Sequence, residues 1–529
     1  MRTVARVVIP AVAIALAAVG CGGGEDQQAG LKAFSASLGE PAELIPGNAS
    51  ESEGNAVDRL LFSALTTVDA KTGEAVNLVA KSVTSSDQKN WTIKIRDGWT
   101  FHNGEPVTAQ SFAGAWNAVL RNGWYTTERF TGLLRIKGSE RVVKHRAKTM
   151  SGVKVVDDST LMVHLEAPNI NFPLILGYHG FFPMPESVVK KGDWKSYREK
   201  PIGNGPYKMA EPWNHNETVT LEKFGDYTGP DAGKADKITF KIYSDPNTAY
   251  NDVTAGNLDV STNIPDARVA SAPQDLAGGF LTHQSSSFTY LGFPLWLDQY
   301  SDARARKAIS MAIDREAIVH KVLNGTASPA QSLVTPLIKL GHRDDACGEL
   351  CEYHPAKARQ LWKQSGYDSS KPVALWYNTG SGNEGWVEAV AHQLHNILGV
   401  KTTLKGQQWT QYLQTTRGHK VTGPYRLGWV EDYPSPVDYL APLYGTGAAS
   451  NGTGYSNRAV DKALQKGNEA TSPKKSVTYY HRAENLILQD MPVAPLWFAD
   501  TKLAHTSRVS HFKFDGLGYL EYGQIGVTD

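Results

Sequence analysis

Two hydrophobic periods take turns along this chain, and that alternation constrains its fold more than any other property. A period of two marks half-buried strands, and a period near 3.6 marks amphipathic helices. Residues 236–243 alternate through Ile238, Phe240 and Ile242, residues 248–255 follow as a helix, and Gly256-Asn257 stops it before the short strand Leu258-Asp259-Val260. The order returns in residues 373–377 (strand), 386–398 (helix) and 400–404 (strand). Strand–helix–strand order calls for crossover units, hence an α/β fold with a mainly parallel sheet and at least two lobes. Residues 91–96 and 153–165 form further alternating runs, turned by Asp97-Gly98 and Asp157-Asp158. Thr108 sits as an N-cap before a helical pattern, further helices start at Asp302 and Asp314, and residues 355–366 form another helix. At 529 residues the chain is long enough for about three domains.

The amino terminus is of a different kind. Arg2 and Arg6 precede a 13-residue apolar run, residues 7–19, broken only by Pro10. That run is too short to span a bilayer and fits the core of a secretory signal. It ends in Ala18-Val19-Gly20-Cys21, followed by three glycines, and resembles a bacterial lipoprotein signal with Ala18 where Leu is usual. The expectation is cleavage after residue 20, lipidation of Cys21, a tether over 21–32, and stable anchoring through two acyl chains. Without residues 1–20 the mature chain carries 52 Lys+Arg against 53 Asp+Glu, a net charge of −1. No global basic field exists to gather nucleic acid, and selection of a ligand falls to local charges. A mean hydropathy of −0.35 excludes a multispan membrane protein. Cys347 and Cys351 are the remaining cysteines. An exported chain meets oxidising conditions, which favours a small loop disulfide over a zinc half-site with His342 and His354, or over free thiols.

Signatures of catalysis are missing. Gly233-Lys234 is followed by Ala235 rather than Ser or Thr, and there is neither a His-Glu-x-x-His nor a Gly-x-Ser-x-Gly motif. His392 and His395 share a helical face without a third ligand placed by spacing. Glu431-Asp432 is a pair of acids, but neighbours in a strand point to opposite faces, so the two are not expected to share one site.

The segment with ligand chemistry is Pro424-Tyr425-Arg426-Leu427-Gly428-Trp429-Val430-Glu431-Asp432-Tyr433-Pro434. Arg426 and Asp432 lie six residues apart, which puts them on one face of a straight strand about 20 Å from each other. One cation and one anion so separated suit a zwitterion with distant ends, such as a peptide. Asp432 would take the α-amino group, Arg426 the carboxylate, and the backbone of Gly428 and Val430 the peptide main chain as an added strand. Spacing alone favours an ordinary surface strand with solvated charges.

A resemblance changes that balance. Residues 91–119 begin Trp-Thr-Ile-Lys-Ile-Arg-Asp-Gly-Trp-Thr-Phe-His-Asn-Gly-Glu-Pro-Val-Thr-Ala-Gln-Ser-Phe; Gly203-Asn204-Gly205-Pro206-Tyr207 forms a Gly-x-Gly-Pro-Tyr turn; Asp302-Ala303-Arg304-Ala305-Arg306-Lys307-Ala308 leads to Ala312-Ile313-Asp314-Arg315; and Gly428-Trp429-x-x-Asp432 follows. In this order, and across nearly all of the mature chain, these runs resemble the oligopeptide- and dipeptide-binding proteins of bacterial ABC importers, extracellular solute-binding protein family 5. The resemblance implies a two-lobed periplasmic-binding-protein (type II) fold with an inserted third domain. Lobe I would comprise residues 31–75, 195–285 and 495–529, the insert 76–194, and lobe II 286–494, with hinge crossings near Ser286 and Met491. It implies a monomeric, lipid-anchored receptor on the outer face of the cell membrane that hands oligopeptides to permease subunits, with no cofactor and no nucleic acid. Among site residues it implies Asp432 as the amine anchor, Arg426 for a short peptide's carboxylate, and Trp409 as a pocket-lining aromatic. Asn383 or Glu384 falls where some members carry a carboxylate-binding His, and Glu51-Ser52 where some members add a strand edge. Trp429 and Tyr433 would serve either the ligand or the packing. Relatives that bind nickel chelates, oligosaccharides, opines or haem keep a non-peptide solute open, and an enzyme such as a glycosidase is the remotest reading.

Overall fold

Strands gather where the alternating runs predict them, and the largest sheet threads the whole molecule. The structure, a computed structural model, describes residues 31–448 and 450–528. The expected signal peptide and Cys21 lie outside these residues. From Lys32 onward the chain forms one compact unit.

The main sheet has eleven strands. At one end, Ala33–Leu38 runs parallel to both Lys237–Ile242 and Val260–Ser261, which the helix Pro246–Thr254 connects. This is a crossover unit whose two strands flank a third. At the other end, Val373–Asn378 and Thr402–Gln407 are adjacent and parallel, joined by the helix Asn383–Leu398. Both crossovers match the sequence pattern. The expectation of a mainly parallel sheet does not hold, because Thr218–Lys223, Tyr425–Trp429 and the two longest strands pair antiparallel.

Those long strands, Phe280–Gly292 and Val493–His505, join the two ends of the sheet. They pair in register from Phe280↔Ala504 to Gln284↔Asp500, lose register, and resume at Phe288↔Phe498. The register break at Ser285–Ser287 faces Ala499, and Val493–His505 continues past it without interruption. A separate four-stranded antiparallel sheet is built from Ala80–Thr84, Asn90–Ile95, Thr160–His164 and Val153–Asp157. The helix Ala109–Asn122 packs against it through Phe112, Trp116 and Leu120, with a capping box at Thr108 and Ser111.

Two sequence motifs have structural explanations. Asp302 and Asp314 cap the helices Ala303–Met311 and Arg315–Lys321, accepting the N–H groups of Arg304 and Ala317. In the turn Gly203-Asn204-Gly205, the Asn204 side chain accepts the Ser63 N–H at 2.9 Å and donates to the Ser63 carbonyl at 3.0 Å. The turn thus lies against the end of the helix Ser52–Leu61, where a Cβ on Gly203 would sit 1.8 Å from the Leu61 carbonyl oxygen. Gly203→Ala is therefore expected to cost about 1–3 kcal/mol, since backbone must move to make room. Urea denaturation checks this; a loss below about 0.5 kcal/mol would place the value among ordinary surface changes. Cys347 and Cys351 form a disulfide.

Candidate functional site

The strand Tyr425–Trp429 pairs with Phe280–Gly292, Gly428 opposite Thr289. On its other side it meets Val373–Asn378 only through Trp376↔Tyr425. Beyond Tyr425 that second edge has no strand partner among the described residues. The strand then stops. Asp438, in the first turn of the helix Pro436–Tyr444, accepts the Asp432 N–H at 2.8 Å and the Trp429 indole N–H at 3.3 Å. These bonds, with Pro434 and Pro436 in sequence, fold the chain back on itself. The straight-strand expectation fails as a result: Glu431 and Asp432, predicted on opposite faces, both line one cavity, while Arg426 does not line it.

That cavity has a volume of about 550 Å³ and is lined from the strands Ala33–Leu38 and Val493–His505, from Glu431–Tyr433 and from the residues around Tyr178. Its walls include Ser52, Arg59, Tyr178, Tyr433, Lys502 and Tyr519. The Tyr519 hydroxyl reaches the Glu431 carbonyl across it at 3.5 Å.

Asp432 has a partner that sequence reasoning missed. Arg129, in the short helix Arg129–Leu133, donates from Nη2 to Asp432 Oδ2 at 2.5 Å and from Nη1 to Glu128 at 2.7 Å. The Tyr178 ring lies 5.7 Å from the guanidinium. Arg129 keeps 11% of its side-chain surface exposed and Asp432 20%, so Asp432 is neutralised on one side and still open to the cavity on the other. Burial pushes the Asp432 pKa up, and Arg129 pulls against it. Burial opposes the Arg129 charge as well, but Asp432, together with Tyr178, Glu128 and Asp438 behind it, more than restores it. Burial and then the neighbouring Asp432 charge drive Asp438 well above the usual carboxylate range.

Glu431 is more strongly perturbed. It is 1% exposed, and neither carboxylate oxygen has a hydrogen-bond partner. The nearby Tyr439 hydroxyl gives its proton to the Ser286 carbonyl at 2.5 Å. Burial, then the charges of Asp438, Asp515 and Asp432, raise the Glu431 pKa well above 4.5. The sign of the consequence follows from linkage. A folded state that holds a proton more tightly than the unfolded state loses stability as pH rises from the unfolded pKa towards the folded one. Glu431→Gln is expected to flatten that decline above pH 4.5, measured as unfolding free energy across a pH series. An unchanged slope would mean that Glu431 ionises normally.

The other predicted residues are scattered. Tyr433 is buried and lines the cavity, as does Ser52. Glu51 does not line it: its carboxylate N-caps the helix Ser52–Leu61, accepting the N–H groups of Gly54, Ala42 and Ser50. Arg426 donates to Asn378 Oδ1 at 3.1 Å within the lobe II end of the sheet. Asn383 is buried, donating to Asn378 and accepting the Trp386 indole, and Glu384 accepts the Gly380 N–H, so both build a helix start away from the cavity wall. Trp409 stands 46% exposed and Val430 38% exposed, neither on the cavity wall. Trp429 is half-buried, its indole tied to Asp438.

A cavity with acids on its wall thus lies between the two ends of the shared sheet. Residues 74–451 match the model for bacterial extracellular solute-binding proteins, family 5, and the chain belongs to that family. It is 29% identical over 447 residues to the dipeptide-binding protein DppE of Bacillus subtilis, covering 83% of this chain and 81% of that one. It is 28% identical to the probable deoxycholate-binding periplasmic protein YgiS of Escherichia coli, covering 87% and 86%. Among solved structures, the murein tripeptide binding protein MppA of Escherichia coli superposes with a TM-score of 0.81 at 25% identity, covering 94% of this chain and 99% of that one. The two-lobed periplasmic-binding-protein fold expected from the sequence is thereby shown.

Proposed function

We propose that this chain is the receptor of an ABC importer, capturing oligopeptides outside the cell and handing them to membrane-embedded permease subunits. The observation that carries the reading is Asp432, an acid held at a cavity wall and open on one side, three residues after a strand whose second edge has no strand partner beyond Tyr425 among the described residues. A peptide's α-amine meets the acid, and its main chain meets the strand edge, which reads backbone and tolerates many side chains. The cavity volume falls within the range of small-ligand sites. Relatives named for dipeptides, oligopeptides and murein peptide support the same class.

Lobe I (residues 31–75, 195–285 and 495–529) and lobe II (286–494), with the insert 76–194, rotate about the crossing at Ser285–Ser287 and Ala499. Ligand touching both walls shifts the open–closed equilibrium. The receptor works as a monomer, held to the outer face of the membrane by lipid on Cys21, and it catalyses no reaction.

A non-peptide solute is the second reading, favoured by the relative named for deoxycholate. The excess of carboxylates on the cavity wall argues against an anionic sterol. Native mass spectrometry of the purified protein, followed by denaturation and sequencing of released material, tests the proposal. Short peptides are expected; a sterol, sugar or metal chelate as the released species would overturn it.

A further inference from the structure

Charge around Asp432 does not balance. Arg129 serves Asp432, and Arg59 serves Asp515 at 2.5 Å. Asp438 Oδ2 is occupied by two neutral N–H donors. Glu431 alone among these acids has both carboxylate oxygens without a donor, although it is almost wholly buried and lines the cavity. A buried carboxylate without a cation is costly, and the hydroxyl next to it, that of Tyr439, gives its hydrogen bond to the Ser286 carbonyl. Across the cavity, Glu53 and Asp500 add acids for which no ion pair is found among the described residues. In all, seven carboxylates and two cationic side chains line the space, and both cations are already paired, Arg59 with Asp515 and Lys502 with Asp266.

We infer that Glu431 is a second cation subsite, one residue from the amine anchor, which takes the ammonium or guanidinium of the ligand's first side chain. The inference rests on the peptide reading and names its preferred substrate class: peptides led by Lys, Arg or another diamino residue. Adjacency sets the position. Asp432 and Glu431 are consecutive and both line the same cavity, so a guest whose α-amine sits on Asp432 brings its first side chain, rather than a later one, to Glu431. Paired charges in a water-poor pocket form stronger bonds than either would in water, and the cost of keeping Glu431 unpartnered is relieved only when that guest enters. A neutral first side chain leaves the cost in place. Discrimination then comes from an unsatisfied group in the pocket, which rejects the wrong guest more sharply than lost contact area does.

The test uses the mature full-length protein and a randomised pentapeptide pool with free amino termini, with retained peptides sequenced by mass spectrometry. Wild-type protein is expected to enrich Lys and Arg at position 1 by at least about tenfold over their share in the pool. Glu431→Gln is expected to abolish that enrichment while still retaining peptides, and Glu431→Asp to keep much of it. Retention of peptides without basic bias at position 1 overturns the subsite and leaves the receptor reading intact, and so does a bias that survives in Glu431→Gln. Retention of no peptide by wild-type protein overturns the receptor reading itself. If Glu431→Gln does not fold, the wild-type profile and Glu431→Asp decide the matter.

Discussion

Arg129→Ala is expected to destabilise the folded protein by about 3–5 kcal/mol, the usual cost of removing one partner from a buried ion pair. Arg129 is the cation that reaches Asp432, and its charge is also felt by Asp438, so its loss takes that compensation from two nearby acids. No water-exposed escape exists for the pair, since both side chains are mostly buried. The lesion has a pH signature. Asp432 and Asp438 already have raised pKa values in the folded protein, and without the guanidinium they rise further. The mutant folded state therefore holds protons that its unfolded state releases, and its deficit shrinks as pH falls towards the unfolded value of 3.8. Urea denaturation at neutral and mildly acid pH measures both effects. A deficit under about 1 kcal/mol, as for an exposed ion pair, would show that Arg129 and Asp432 are not locked together in solution.

Asp432→Asn is expected to weaken the binding of free-amine peptides by about 2–5 kcal/mol, the range for truncating one partner of a desolvated, hydrogen-bonded charge pair. Asn preserves volume and shape, so the loss isolates charge. Two terms contribute. The ligand ammonium loses its carboxylate, and Arg129, now facing a neutral amide, repels the incoming cation. Calorimetry on peptides already shown to bind gives the value. Arg426→Ala is the contrasting variant: its guanidinium bonds to Asn378 inside lobe II and does not reach the cavity wall.

How much of this was legible in the sequence depends on how local the physics is. Helix starts at Thr108, Asp302 and Asp314 were readable because a capping side chain and the N–H that donates to it lie within three residues. The two crossover units were readable because hydrophobic period announces each element. Asp432 itself was found through the Gly428-Trp429-x-x-Asp432 motif and does line the cavity. Arg129 was not found, since it meets Asp432 across 303 residues of chain and no local pattern marks it. Glu431 was misplaced for a specific reason: strand geometry was extended through Asp432, whereas the strand ends at Trp429, Asp438 accepts the Asp432 N–H, and both acids line one cavity. Glu51 was assigned to ligand by position in the family pattern, and its side chain instead completes a helix cap.

The account stands on a cationic peptide head meeting the acid at Asp432. The most direct measurement is a pair of calorimetric titrations on wild-type protein, one with a peptide recovered from it and one with the same peptide acetylated at its amino terminus. The account predicts that acetylation weakens binding by at least about 30-fold, the equivalent of 2 kcal/mol. Equal affinity for the two forms would contradict it.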